Sequence, residues 1–287
     1  MGLSFDGEVL SDGKVAARLE SGERKEERMM NFRSAMFLGW VSLVSVTGWS
    51  QTAAGRAQTP VPAPVVTAEQ IAAMEAKLAD WPQLERYRAD NAALAPAVPG
   101  EQRVVFYGDS ITDGWGRGPD RGEFFPGKPY VNRGISGQTT PQMLVRFRQD
   151  VIDLHPAAVV ILAGTNDVAG NTGPMTPEMT EDNFLSMVEL AKVNGIRVIL
   201  ASILPVADFP WRPGLHPAEK IEALNAWLRG YCASHSLIYL DYYSAMADAN
   251  GGMKPGLSFE GVHPNAKGYA VMAPLAQAAI DKALGGR

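Results

Sequence analysis

The 287-residue chain holds a single cysteine, Cys232, so an intramolecular disulfide is impossible and no thiolate cluster for zinc can form. Cys232 lies in "AWLRGYCASH", a helical pattern, and is expected to be an inert core thiol. Lysine and arginine form no run, and the formal net charge is −5, so the chain lacks the basic footprint of a nucleic-acid binder. The apolar stretch from Ala35 to Trp49 falls short of the ~20 residues that cross a bilayer. It has the length of the apolar region of a signal peptide instead. Histidine is scarce, with four in all: His155, His216, His235 and His263.

What is present is ordinary globular composition, 46% hydrophobic, enough for one sizeable core. The first 66 residues read as something other than fold. Residues 1–28 are polar and aperiodic, and are expected to be a mis-called start or a disordered extension ahead of Met29 or Met30. Arg33, the apolar run and the small residues Ala53, Ala54 and Ala57 give residues 29–57 the layout of a signal peptide. Export to the periplasm or beyond is therefore expected, with no stable membrane association after cleavage. The alternative is an uncleaved signal anchor. No cysteine follows the run, so a lipoprotein is not expected. "TPVPAPVV" in residues 58–66 is a Pro-rich linker. Residues 67–94 read as a helical preface: Ile71, Met74, Leu78, Trp81 and Leu84 recur at three- and four-residue steps, Thr67 and Gln70 suit a capping box, and Pro82 interrupts. It is expected to pack on the outside of a domain spanning 95–287.

From Val104 onward, apolar runs alternate with helical patterns. "VVFYG", "KPYVNRG", "AAVVILAG", "IRVILAS" and "LIYLD" read as strands. Thr140–Leu154 places Met143, Phe147, Val151 and Leu154 on one helical face; Pro177–Asn194, Pro217–His235 and Asn265–Leu284 are the other long helices. Strands apolar on both faces and joined by helical crossovers predict a parallel sheet of about five strands in a three-layer α/β/α sandwich. Such sheets bind ligands beyond the carboxyl ends of their strands. Those ends carry Gly108-Asp109-Ser110, then Asn132 to Gly137, then Gly164 to Asp167; "FEGVHPN" with Glu260 and His263 precedes the last helix.

That set has the parts of an acyl-transfer site. A serine hydroxyl needs a base to take its proton, and His263 is the candidate. Glu260, three residues earlier, can fold back to orient the imidazole; a backbone carbonyl in that role is the alternative. Preorganised donors for an oxyanion are available from the backbone N–H of Ser110, the N–H of Gly137 and the side-chain amide of Asn166.

"GDS" after the first strand, "NRGISGQT" in the second block, "GTND" in the third and a late histidine resemble the SGNH, or GDSL-type, esterases and acylhydrolases, from about Val104 to Leu284. The resemblance implies a flavodoxin-like sheet of order 2-1-3-4-5. It implies Ser110 as nucleophile, Gly137 and Asn166 in the oxyanion hole, His263 as base, and neither metal nor organic cofactor. The family usually has aspartate three residues before the histidine, where this chain has Glu260. Ile111 in place of the family's leucine is a conservative change.

Asp109 and Asp167 read as loop-bracing acids, and Asn132 as fixing its own loop. His155 and His235 follow helical segments and read as helix-end or surface residues. Trp115 and His216 are candidate substrate-binding residues; Trp115, Phe124 and Phe125 are either local packing or the wall of the substrate site. Ser110 and the second strand are separated by only about twenty residues with no apolar lid, which suits small acyl groups on exposed alcohols. The expected substrate is a small-molecule or glycan ester, with O-acetyl groups foremost. Lysophospholipase, thioesterase and acyltransferase activities remain open, as does a non-catalytic carbohydrate-binding module.

Overall fold

The computed structural model describes residues 66–285, so the expected start, signal peptide and nearly all of the linker lie outside the described residues. Helix α1 (Ala68–Ala79) carries the expected capping box between Thr67 and Gln70, and α2 (Arg88–Ala93) follows after the break at Pro82. The chain then runs β1 (Val104–Gly108), α3 (Ser110–Gly114), β2 (Tyr130–Gly134), α4 (Thr140–Asp150), β3 (Ala158–Leu162), α5 (Thr165–Ala169) and α6 (Pro177–Val193). It closes with β4 (Arg197–Ala201), α7 (Ala218–Ser234), β5 (Ile238–Leu240), α8 (Tyr243–Met246) and α9 (Ala266–Gly285). All strands are parallel, in the order β2-β1-β3-β4-β5.

The unbroken apolar strands have a simple cause. Successive side chains point to opposite faces, and both faces are covered. Val104, Phe106, Val160, Leu162 and Ile199 pack beneath Tyr269, Met272, Ala276 and Ile280 of α9. Val105, Tyr107, Val159, Ile161 and Leu200 pack against Met143 and Phe147 of α4, Phe184 and Met187 of α6, and Leu228 and Cys232 of α7. Each such buried side chain contributes about 1.5–3 kcal/mol by leaving water, so these two faces hold the sheet together. Burial among them pushes the Cys232 thiol up to about 11, which leaves it protonated and unreactive at neutral pH.

The register positions the site. Gly108 at the end of β1 pairs with Gly134 of β2 on one side and with Leu162 of β3 on the other, so the three strands stop level. The chain order reverses at β1, and the crevice of a doubly wound sheet opens there.

The N-terminal helices depart from expectation. The stripe of Ile71, Met74 and Leu78 on α1 is exposed rather than packed on the domain. Anchoring comes instead from the turn after α1, where the carbonyls of Trp81, Pro82 and Leu84 accept from Gln142, Gln138 and Gln149. Tyr87 is buried and donates its hydroxyl proton to the carbonyl of Gly134.

Candidate active site

Ser110 opens the short helix α3 directly after β1. Asp109 caps that helix, its carboxylate accepting the Ile111 N–H at 3.0 Å. Ser110 Oγ lies 2.9 Å from His263 Nε2, and His263 Nδ1 is hydrogen-bonded to Glu260 Oε1. The same Glu260 oxygen accepts the backbone N–H of His263 at 3.3 Å. The loop holding them is tied by Phe259 N–H to His263 O at 3.0 Å and Gly261 N–H to Ser258 Oγ at 3.0 Å. In this tight turn the extra methylene of glutamate lets the carboxylate curl back onto the ring three residues later, and among the described residues no backbone carbonyl is hydrogen-bonded to Nδ1. The imidazole is thus set with one nitrogen on a hydroxyl and the other on a carboxylate, within reach for proton transfer.

Gly137 and Asn166 line the same cleft of about 450 Å³ as Ser110 and His263. Gly137 has φ +80°, which a side chain would strain. Asn166 is held by its neighbours: its Nδ2 donates to Gln138 O at 3.0 Å and to Asp109 Oδ2 at 3.3 Å, while its Oδ1 accepts from Asn171 at 2.6 Å. β2 braces α3. Asn132 donates to Thr112 O at 2.6 Å and accepts the Gly134 N–H at 2.9 Å. A Cβ on Gly134 would come within 2.1 Å of the Asp113 nitrogen, so the two backbones touch only because residue 134 is glycine.

The acids beside the site are braces that carry an electrostatic load. Burial pushes the Asp109 carboxyl up to about 7, the Ile111 N–H opposing it and the Asp167 charge adding to it. Asp167 is likewise raised, by burial, against the Thr140 hydroxyl and N–H that it accepts. For Asp109 the folded value lies above the unfolded one near 3.8, so the folded state binds more protons between the two. The carboxyl therefore weakens the fold increasingly as pH rises from about 4 to 7, by at most about 4 kcal/mol, and by a constant amount above that. Wild-type Tm is expected to fall between pH 5 and pH 8, and Asp109→Asn to flatten the fall by several degrees (roughly 2–4 °C per kcal/mol). Melting curves at the two pH values read this directly; equal slopes in both proteins would discount the buried carboxyl.

Two expected substrate residues are elsewhere. Trp115 is buried, its ring stacked on Tyr269 at 5.0 Å and edge-on to Phe106 at 5.8 Å, and its indole N–H donates to Glu123 O at 3.1 Å. It belongs, with the half-buried Phe124 and Phe125, to the core under α9 and not to the cleft wall. His216 is exposed with φ +46° and does not line the cleft. The aromatic that does is Trp211, five residues earlier in the same loop. It is 43% exposed, its ring is 6.1 Å from that of His263, and its N–H donates to Asn171 Oδ1 at 3.2 Å. The stretch "FPWRPG" after β4 carries Trp211 into the cleft. Also unforeseen are Arg117 and Arg121 on the cleft wall and the buried Arg146 behind it. His155 and His235 cap helix ends, as their positions suggested.

Among the described residues no group of three or more His, Cys, Asp and Glu gathers as metal ligands would. A GDSL-like lipase from Bacteroides thetaiotaomicron shares 48% sequence identity and a TM-score of 0.68, over 71% of this chain and all of that one. The lipoprotein YqeF of Bacillus subtilis, itself uncharacterised, is 33% identical over 81 residues, 27% of this chain and 33% of that protein. The esterase TesA of Pseudomonas aeruginosa is 30% identical over 135 residues, 47% of this chain and 60% of that protein. The chain thus spans between a third and three fifths of the length of these curated relatives. A match over residues 106–271, more than half the chain and holding Ser110, Gly137, Asn166, Glu260 and His263 together, shows that it belongs to the GDSL-like lipase/acylhydrolase family.

Proposed function

We propose that the protein is an exported serine esterase that removes short acyl groups, O-acetyl foremost, from alcohols carried on carbohydrate. The reading rests on one observation above others: Ser110 Oγ stands 2.9 Å from His263 Nε2 while Glu260 occupies the other ring nitrogen. Ser110 Oγ attacks the ester carbonyl carbon as its proton passes to Nε2. The carbonyl oxygen becomes an oxyanion facing the N–H groups of Ser110 and Gly137 and the amide of Asn166, each such donor worth about 10²–10³ in rate. Collapse expels the alcohol, which leaves with the proton from His263, and the acyl group remains on Ser110. Water, deprotonated by His263, then attacks the acyl-enzyme and frees the acid and the serine. Glu260 holds the tautomer and stabilises the imidazolium formed in each half.

An open cleft flanked by an exposed tryptophan suits a sugar ring better than a long acyl tail. The signal-type segment at 29–57 and the lipoprotein relative support export. The test is kcat/KM on p-nitrophenyl esters from acetate to octanoate with Ser110→Ala as blank. A decline of about tenfold or more with chain length is expected, on the scale of losing ~1.4 kcal/mol of transition-state binding. A rise with chain length would move the substrate to lipids, and hydrolysis that survives Ser110→Ala would end the serine mechanism.

A further inference from the structure

We infer that the alcohol part of the substrate is anionic, carrying a carboxylate that Arg121 pairs with; the inference rests on the esterase reading above. Arg121 lines the cleft together with Ser110, His263 and Trp211. It is half-buried, and among the described residues no carboxylate lies within 4.0 Å of its guanidinium. Its neighbour Arg117 is paired with Asp113, which also has Arg86 at 3.9 Å and accepts the Ser136 hydroxyl. Two guanidinium groups thus share the Asp113 carboxylate, and Arg121 adds a third cation to the same cleft, on a chain whose formal net charge is −5. The local sign opposes the global one, and a cleft focuses such a field.

Arg121 is also built into place rather than loose on the surface. Its guanidinium lies over Gly114, where a Cβ would meet its NH1 at 2.6 Å, and it stacks on the Phe259 ring at 5.1 Å. A held, partly desolvated guanidinium presents a planar fork that matches a carboxylate with two parallel hydrogen bonds. The acyl group fills little of a 450 Å³ cleft if it is short, so the charge belongs to the alcohol side. Trp211 in the same cleft offers a face for a ring. An acylated sugar acid meets both demands.

The probes are 4-acyloxybenzoate and its neutral counterpart 4-acyloxybenzamide, carrying the acyl group preferred in the p-nitrophenyl series. Wild-type protein is expected to favour the benzoate by about tenfold in kcat/KM, with the preference shrinking in about 0.5 M NaCl. Arg121→Gln should bring the ratio near one, and Arg121→Glu should invert it. Gly114→Ala displaces the guanidinium without removing it and should lower the ratio as well, which guards against a folding defect in either arginine variant. A wild-type ratio near one, or a preference that all three variants retain, overturns the inference while leaving the esterase intact. Absence of Ser110-dependent hydrolysis of either probe would instead sink the esterase reading itself.

Discussion

Ser110→Ala and His263→Ala are each expected to lower kcat/KM on the preferred ester by about 10⁴–10⁶-fold, and the double variant to be little worse than either alone. In the proposed mechanism the two groups act in one step. Without the imidazole at 2.9 Å the hydroxyl keeps its proton, and without the hydroxyl the imidazole has nothing to deprotonate but water. Glu260→Gln should cost about 10²–10⁴. The amide oxygen can still accept from Nδ1–H, but the negative charge that favours the imidazolium is gone. Solvent reaches this pair, with side-chain exposures of 25% for His263 and 35% for Glu260, so the lower half of that range is expected. Glu260→Asp, the residue usual in the family, should also be impaired here. The turn from Ser258 to Pro264 fits the longer side chain, and a shorter one ends a methylene away from Nδ1. Steady-state kinetics on the five variants, with Tm measured alongside, decide the matter. Near-full activity in Glu260→Gln beside a dead His263→Ala would remove the carboxylate from the mechanism.

The sheet was legible because its cause is local and repeated. Short, β-branched runs apolar on both faces, such as Val104–Tyr107 and Ala158–Leu162, read as buried strands by their length and flanking turns, and helical crossovers between them favour parallel pairing. The positions of Ser110, Gly137, Asn166 and His263 at one edge follow from that topology. Side-chain direction was not legible. Trp115 and Trp211 both sit in loops at the active edge, yet one turns under α9 and the other into the cleft, because Phe106, Phe124 and Tyr269 offer the first an aromatic nest. The periodicity of Ile71, Met74 and Leu78 marked an amphipathic helix correctly and its packing incorrectly. An apolar stripe records what a helix is able to bury, and α1 is anchored by the carbonyls of the turn behind it instead.

Arg146→Met is expected to lower the free energy of unfolding by about 3–5 kcal/mol, the scale for stranding one partner of a buried ion pair. In the sequence, Arg146 and Asp150 look like an exposed pair four residues apart on a helix, worth about 0.3–0.5 kcal/mol. In the fold both are fully buried, on the same stripe as Met143 and Phe147. The guanidinium spends nearly all its donors: Asp150 Oδ2 at 3.1 Å, Arg133 O at 2.9 Å, Gly108 O at 3.0 Å and Gln138 Oε1 at 2.5 Å. It thereby ties the end of β1 to the end of β2, and ties both to the residue whose carbonyl holds the Asn166 amide. One arginine thus joins the residues that precede Ser110 and Gly137 and the residue that holds Asn166. Two consequences separate this clamp from a simple charge pair. Arg146→Met with Asp150→Leu removes the stranded charge but also removes the Arg146 bonds to the Gly108 and Arg133 carbonyls, the first of which keeps only the Ile135 N–H at 2.9 Å, so stability should return only in part. In the folded fraction of either variant kcat should drop by about 10²-fold, the penalty of misplacing a reacting group by ~1 Å. Denaturant titration and single-turnover kinetics test the two separately. Full recovery in the double variant would reduce Arg146 to a counterion for Asp150.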